Sequence, residues 1–399
     1  MKRSFSLRSA LVVGSGTALI AVTYGLVRLA YGLFLPDVQH DLGLDGAGAG
    51  WVSSAASACY CVGALTGFVT AQAHARALVL GATATAAAGA FGMAASVGAG
   101  TFAAAAVVGS SSAGLASPAL VRLVEERVEE PGRPRAQAFV NAGTGPGLVA
   151  AGVLALLLPD WRTAWAWAGV AAVVVGGTVL VVSGRRTIAT DDQRTVPHGQ
   201  RTLPSRGWFR AHALPVVVAL LFGAGTASVW TFGRAVLVDA GASGTTSVLL
   251  WVAVGVGGAS VVVTSRWTAA LGARALWRGS TALTGIAVVV LGLAPQWDAT
   301  SLLAGAVFGW GYTTGTGALI AWTTEIDPER SAAGTSVLFV VLVLGQAVGA
   351  AGLGVLVDGL GPATTFALAA VVTVACAVLA VRRRRSEDRS ELDLPVAGS

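Results

Sequence analysis

Gly184-Arg-Arg-Thr-Ile-Ala-Thr-Asp-Asp-Gln-Arg-Thr-Val-Pro-His-Gly-Gln-Arg-Thr-Leu-Pro-Ser-Arg-Gly-Trp-Phe-Arg-Ala211 is the longest polar stretch in the chain. It holds six arginines, Asp191, Asp192, Pro197 and Pro204, and almost nothing to bury. Such a segment forms no core and reads as a linker. On either side of it the composition changes, and long apolar runs recur from Ala10 to Val381. Of the 399 residues, 54% are hydrophobic and 12% charged, against about 25% charged in soluble domains. The mean hydropathy is +0.72. Crossing about 30 Å of hydrocarbon takes about 20 apolar residues. Twelve runs qualify: 10–35, 48–71, 76–97, 101–123, 136–158, 163–183, 212–238, 244–264, 275–294, 300–323, 333–357 and 364–381. Transmembrane strands would leave alternating segments of about ten residues, and none are present. The chain therefore reads as an all-α polytopic membrane protein of twelve transmembrane helices. Residues 1–183 and 212–381 form two six-helix bundles, 184–211 the linker, and 382–399 a disordered tail.

The net charge of +6 and pI near 9.9 invite a nucleic-acid reading, which the position of the charges excludes. With the N-terminus inside, the basic residues gather in alternate loops and both tails, and Arg162 alone falls on the outer side. That is the positive-inside pattern of a cell inner-membrane protein with both termini cytoplasmic. The tail cluster Arg382–Arg385 would lie against anionic headgroups. Lys2, Arg3 and Arg8 before an apolar run resemble a signal peptide. The run continues to Pro36 without a cleavage site, however, and reads as a retained first helix that ends there. Cys59, Cys61 and Cys376 fall within spans as packing residues, at spacings that fit no metal or redox motif.

The two halves look like weak repeats. Trp51-Val52 opens span 2 and Trp251-Val252 opens span 8. Glu130-Pro-Gly-Arg133 precedes span 5 and Asp327-Pro-Glu-Arg330 precedes span 11; Arg28 in span 1 is matched by Arg234 in span 7. Duplicated six-helix halves with a long middle loop resemble the major facilitator superfamily. Span 5 adds a local match, Asn141-Ala-Gly143-Thr-Gly145-Pro146-Gly147, which resembles the glycine- and proline-rich motif of proton-coupled exporters in that family. Small residues there let helices approach, and a proline within a span permits a bend, so Gly143, Gly145, Pro146 and Gly147 read as conformational positions. The loop after span 2 keeps Gly67 and Arg76 of the family's signature, but Ala71 stands in its aspartate slot.

A charge at mid-membrane costs about 2.5–3.5 kcal/mol, so Arg28 and Arg234 each call for a partner. Tyr24, Arg28, Tyr31 and Leu35 share one helix face, and Trp230 precedes Arg234 by one turn. Guanidinium grips carboxylate or phosphate through paired hydrogen bonds. Tyr24-Gly-Leu-Val-Arg28 and Arg234-Ala-Val-Leu-Val-Asp239 resemble the first and seventh helices of organophosphate/phosphate antiporters. That likeness implies two anion-binding arginines facing each other across a central cavity. Structural roles compete: Arg28 capping carbonyls in the bundle, Arg234 pairing with Asp239 or snorkelling to the surface.

No carboxylate falls mid-span, so Asp37, just past Pro36, is the candidate proton site. Asn141, Gln346, Trp310 and Tyr312 are further candidates for the substrate cavity. No nucleophile elbow, dinucleotide fingerprint or P-loop is present, so the reading is not an enzyme and has no cofactor. The expected function is a monomeric secondary transporter that moves a small organic molecule, favoured as an anion, by alternating access. Protons or a counter-anion would couple the movement. The alternative is a proton-coupled exporter of neutral or hydrophobic compounds, with purely structural arginines.

Overall fold

A computed structural model describes residues 7–158, 160–184, 206–268 and 270–382. Residues 185–205, most of the expected linker, and 383–399, nearly all of the expected tail, lie outside it. Every regular element among the described residues is a helix, as a backbone without water to bind demands.

The first span is one continuous helical run: α1 (Leu7–Ile20), a π-helical stretch (Ala21–Leu29) and α2 (Ala30–Leu42). It passes through Pro36, where the sequence reading ended it, and stops instead at Gly43, whose φ of +68° suits a residue without Cβ. The bent α3 (Gly46–Ala94) has 49 residues, about 75 Å at 1.5 Å per residue. That length serves two crossings, and a break at His74 (φ −133°, ψ 32°) replaces the loop expected between spans 2 and 3. α4 (Ala99–Arg127) follows. The fifth span is split into α5 (Arg133–Asn141) and α6 (Thr144–Leu157), and α7 (Trp161–Val182) completes the first set.

After the linker come a short α8 (Arg206–Ala211), then α9 (Ala213–Asp239), α10 (Gly244–Thr268), α11 (Ala273–Leu293), α12 (Asp298–Ile326), α13 (Ser331–Leu360) and α14 (Pro362–Arg382). The stretch 184–211, expected to hold almost nothing to bury, buries a large side chain in α8. Trp208 is buried there, its ring stacked on His212 with centroids 3.8 Å apart. Ten described helical stretches have the length and hydropathy to cross a membrane. Counting the bent α3 twice and adding α12, long enough but rich in threonine and glycine, gives the expected twelve.

The repeat anchors before spans 5 and 11 fold alike, as 3-10 turns at Glu130–Gly132 and Pro328–Arg330. Helices of the first set and the second set meet where side chains are smallest. Gly32 lies against the Trp230 backbone, Gly50 against Ala350, and Gly145 against Gly255. The largest buried cluster runs through this seam and joins Leu29–Leu35 to Val229, Trp230, Trp251 and Phe308.

Candidate functional site

The π-helical stretch carries Tyr24 and Arg28. Such winding is rare in helices and frequent at functional sites. The glycine motif presses on it and on α1. A Cβ on Gly147 would stand 2.2 Å from the Ala21 carbonyl oxygen, and one on Gly143 2.2 Å from that of Thr17. Gly145 turns the other way, toward Gly255 and Ala259 of α10, while Pro146 is exposed. The motif is thus a three-way helix junction that supports the arginine-bearing segment.

Arg28 is half-buried. Its Nη2 donates to Gln346 Oε1 at 2.9 Å, and its Cζ lies 4.6 Å from the centre of the Tyr60 ring. Gln346 Nε2 donates onward to Tyr312 OH at 3.0 Å, and the Tyr24 and Tyr60 hydroxyls are 2.8 Å apart. Trp230 meets Tyr312 edge-on, centroids 5.1 Å apart. Among the described residues, no carboxylate pairs with Arg28.

Arg28, Tyr31, Trp230 and Gln346 line one cleft together with Ser53, Ser57, Ser110 and Thr231. The Ser53 and Thr231 hydroxyls bond each other at 2.9 Å, and Tyr31 OH donates to the Ala49 carbonyl at 2.9 Å. Two lining residues carry buried polar atoms with no hydrogen-bond partner among the described residues: Trp230 Nε1 and Ser110 Oγ. These residues are 9% and 1% exposed. A buried donor left so costs about 1–3 kcal/mol.

Arg234 is placed otherwise. It is 6% exposed and ion-paired to Asp37. It also donates to the Leu33 carbonyl at 2.6 Å and to Ser247 Oγ at 3.1 Å. The expected pairing with Asp239, and the expected face-off with Arg28, both give way to this contact. The close approach of Gly32 to the Trp230 backbone sets the register and carries Arg234 one turn further, to Leu33 and Asp37. Asp37, the candidate proton site, is therefore its counter-ion, 42% exposed.

Two other candidates fall outside the cluster. Asn141 ends α5 and is exposed. Trp310 donates to Thr264 on α10 at 2.9 Å and so faces its own neighbour rather than the cleft. The sequence reading missed Tyr60, Ser53, Ser57, Ser110 and Thr231. One signal for Tyr60 was available: all four tyrosines of the chain (Tyr24, Tyr31, Tyr60 and Tyr312) sit within spans, away from the membrane interfaces where such rings gather.

Membrane-length helices closing on a polar cleft are the build of a multi-pass transporter. The family model for the Major Facilitator Superfamily matches residues 17–267, and the chain belongs to that superfamily. The fold is shared with the nucleoside transporter NupG at 13% identity, TM-score 0.75, over 94% of this chain and 99% of that one. It is shared also with a D-xylose-proton symporter at 15% identity, TM-score 0.73, over 94% and 97%. A bacterial homologue of the human lysosomal transporter Spinster aligns at 13% identity, TM-score 0.70, over 94% and 95%. No curated protein sequence matches. The protein is a secondary transporter and not an enzyme.

Proposed function

We propose that the protein moves a small organic anion by alternating access and that Arg28 binds it. One observation carries the reading: a permanent charge at membrane depth, held by an amide and a tyrosine ring, without a paired carboxylate among the described residues. Tyr24, Tyr31, Trp230, Tyr312 and Gln346 shape the site around it. Residues 1–183 and 212–381 rock as two bundles tethered by 184–211, sliding where Gly145 meets α10, while Gly143 and Gly147 hold the fifth span to the first. Both termini face the cytoplasm, the membrane is the cell inner membrane, and the working unit is a monomer. A counter-anion at Arg28, or a proton at Asp37, supplies the coupling.

A second reading, export of neutral or hydrophobic compounds, draws on the aromatic wall of Phe222, Trp230, Phe308 and Tyr312. Uptake into proteoliposomes separates the two. Anion exchange should fall at least tenfold in Arg28→Gln, a loss of about 1.4 kcal/mol or more, while the variant stays monodisperse. Neutral-compound transport that is indifferent to Arg28→Gln would overturn the anion reading.

A further inference from the structure

We infer that the substrate is a monoanion, a small carboxylate that also bears a hydroxyl or carbonyl oxygen, and that Ser110 and Trp230 read that oxygen. This rests on the anion reading above and narrows it. Among the described residues, Arg28 is the single charged one lining the cleft. The second membrane-depth arginine adds no free charge, because Asp37 neutralises Arg234. A dianion would bring one negative charge that nothing in the cleft balances, and an unpaired charge out of water is the costliest group to bury. One guanidinium matches one planar carboxylate through two parallel N–H donors. Gln346 takes one Nη2 contact and fixes the fork without spending the rest.

Recognition beyond the charge falls to the orphaned groups of the same cleft. The indole N–H of Trp230 only donates, and the Ser110 hydroxyl donates or accepts. Neither has a partner within the described protein. Buried polar groups are ordinarily satisfied, so a lone acceptor oxygen on the substrate is the chemistry they fit. Three other lining hydroxyls are engaged: Ser53 and Thr231 bond each other, and Tyr31 donates to the Ala49 carbonyl.

The test is a set of ligand titrations by thermal stabilisation of the purified full-length protein, with matched probes. Lactate is set against propionate, mandelate against phenylacetate, and succinate and fumarate serve as dianions. The hydroxy acids should bind about tenfold more tightly than their partners, and the dianions at least tenfold more weakly than the hydroxy acids. Ser110→Ala and Trp230→Phe should each erase the hydroxyl preference, read within each variant as the ratio of lactate to propionate and of mandelate to phenylacetate affinity, whereas Arg28→Gln should abolish every monoanion. Where Arg28→Gln does not fold, Arg28→Lys, which keeps the charge and loses the fork, should weaken all four monocarboxylates together. Dianions binding as well as monoanions, or a hydroxyl preference untouched in both Ser110→Ala and Trp230→Phe, overturns this inference and spares the anion reading. Binding that ignores Arg28→Gln, or no binding by any probe, overturns both.

Discussion

Arg28 and Arg234 share residue type, depth and a preceding aromatic, and the fold sets them opposite tasks. Arg234 meets an oxygen with Nε, Nη1 and Nη2. It also stands beside the gap left by Pro36, donating to the carbonyl next to the one that a missing proline N–H strands. Arg28 holds a single amide contact and a ring. Their need for partners was legible in the apolar runs around them; which partner each finds was not. Removing Asp37 leaves a buried guanidinium uncompensated, tempered by the exposure of the carboxylate. Asp37→Asn should therefore cost about 2 kcal/mol and lower the thermal midpoint. Asp239 forms no ion pair among the described residues, so Asp239→Asn should leave the midpoint nearly unchanged. Equal midpoints for the two variants would remove the ion pair from the account of stability.

Among the elements, crossings were far easier to read than their breaks. Hydropathy located each span, yet it placed a stop at Pro36, where the helix runs on, and a loop near His74, where α3 merely bends. Hydropathy reports the medium around a segment; winding and kinks depend on neighbours that press on it. The π-helical stretch is such a case. Gly25 and Gly147 bring two backbones together, a Cβ on Gly25 falling 2.4 Å from the Gly147 carbonyl carbon. Gly147→Ala would push a methyl into the Ala21 carbonyl and should cost about 1–3 kcal/mol. Gly177→Ala in α7, with nothing within 4 Å, should be neutral or stabilising by up to about 1 kcal/mol. Thermal midpoints of the two purified variants measure the contrast. Similar values would mean that the junction between α6 and the π-helical stretch yields freely.

At the scale of the whole molecule, the repeats match in sequence more than in setting. Trp51 is 61% exposed and its counterpart Trp251 is fully buried. The halves are also clasped unequally: Asp358 at the end of α13 accepts from the Gly46 and Ala47 N–H groups at the start of α3, at 3.1 and 2.7 Å. A carboxylate on a helix N-terminus gains from both hydrogen bonds and dipole. Asp358→Asn keeps one acceptor and loses the charge, a change of about 1.4 kcal/mol, which is tenfold in a two-state population. Spin labels at the exposed Val97 and Trp297, in a background free of the three cysteines, should show the longer-distance population rising about tenfold. An unchanged distribution would mean that the clasp does not hold the halves. The sequence by itself determined the all-α membrane class, the twelve crossings, the superfamily likeness and the demand of two arginines for partners. Each of these follows from local composition and the dielectric of the bilayer. Only the tertiary structure decided that Asp37 claims Arg234 while Arg28 keeps a cleft. Periodicity tells which face of its own helix a residue occupies, and the register between helices nearly 200 residues apart is set by where their glycines let backbones touch.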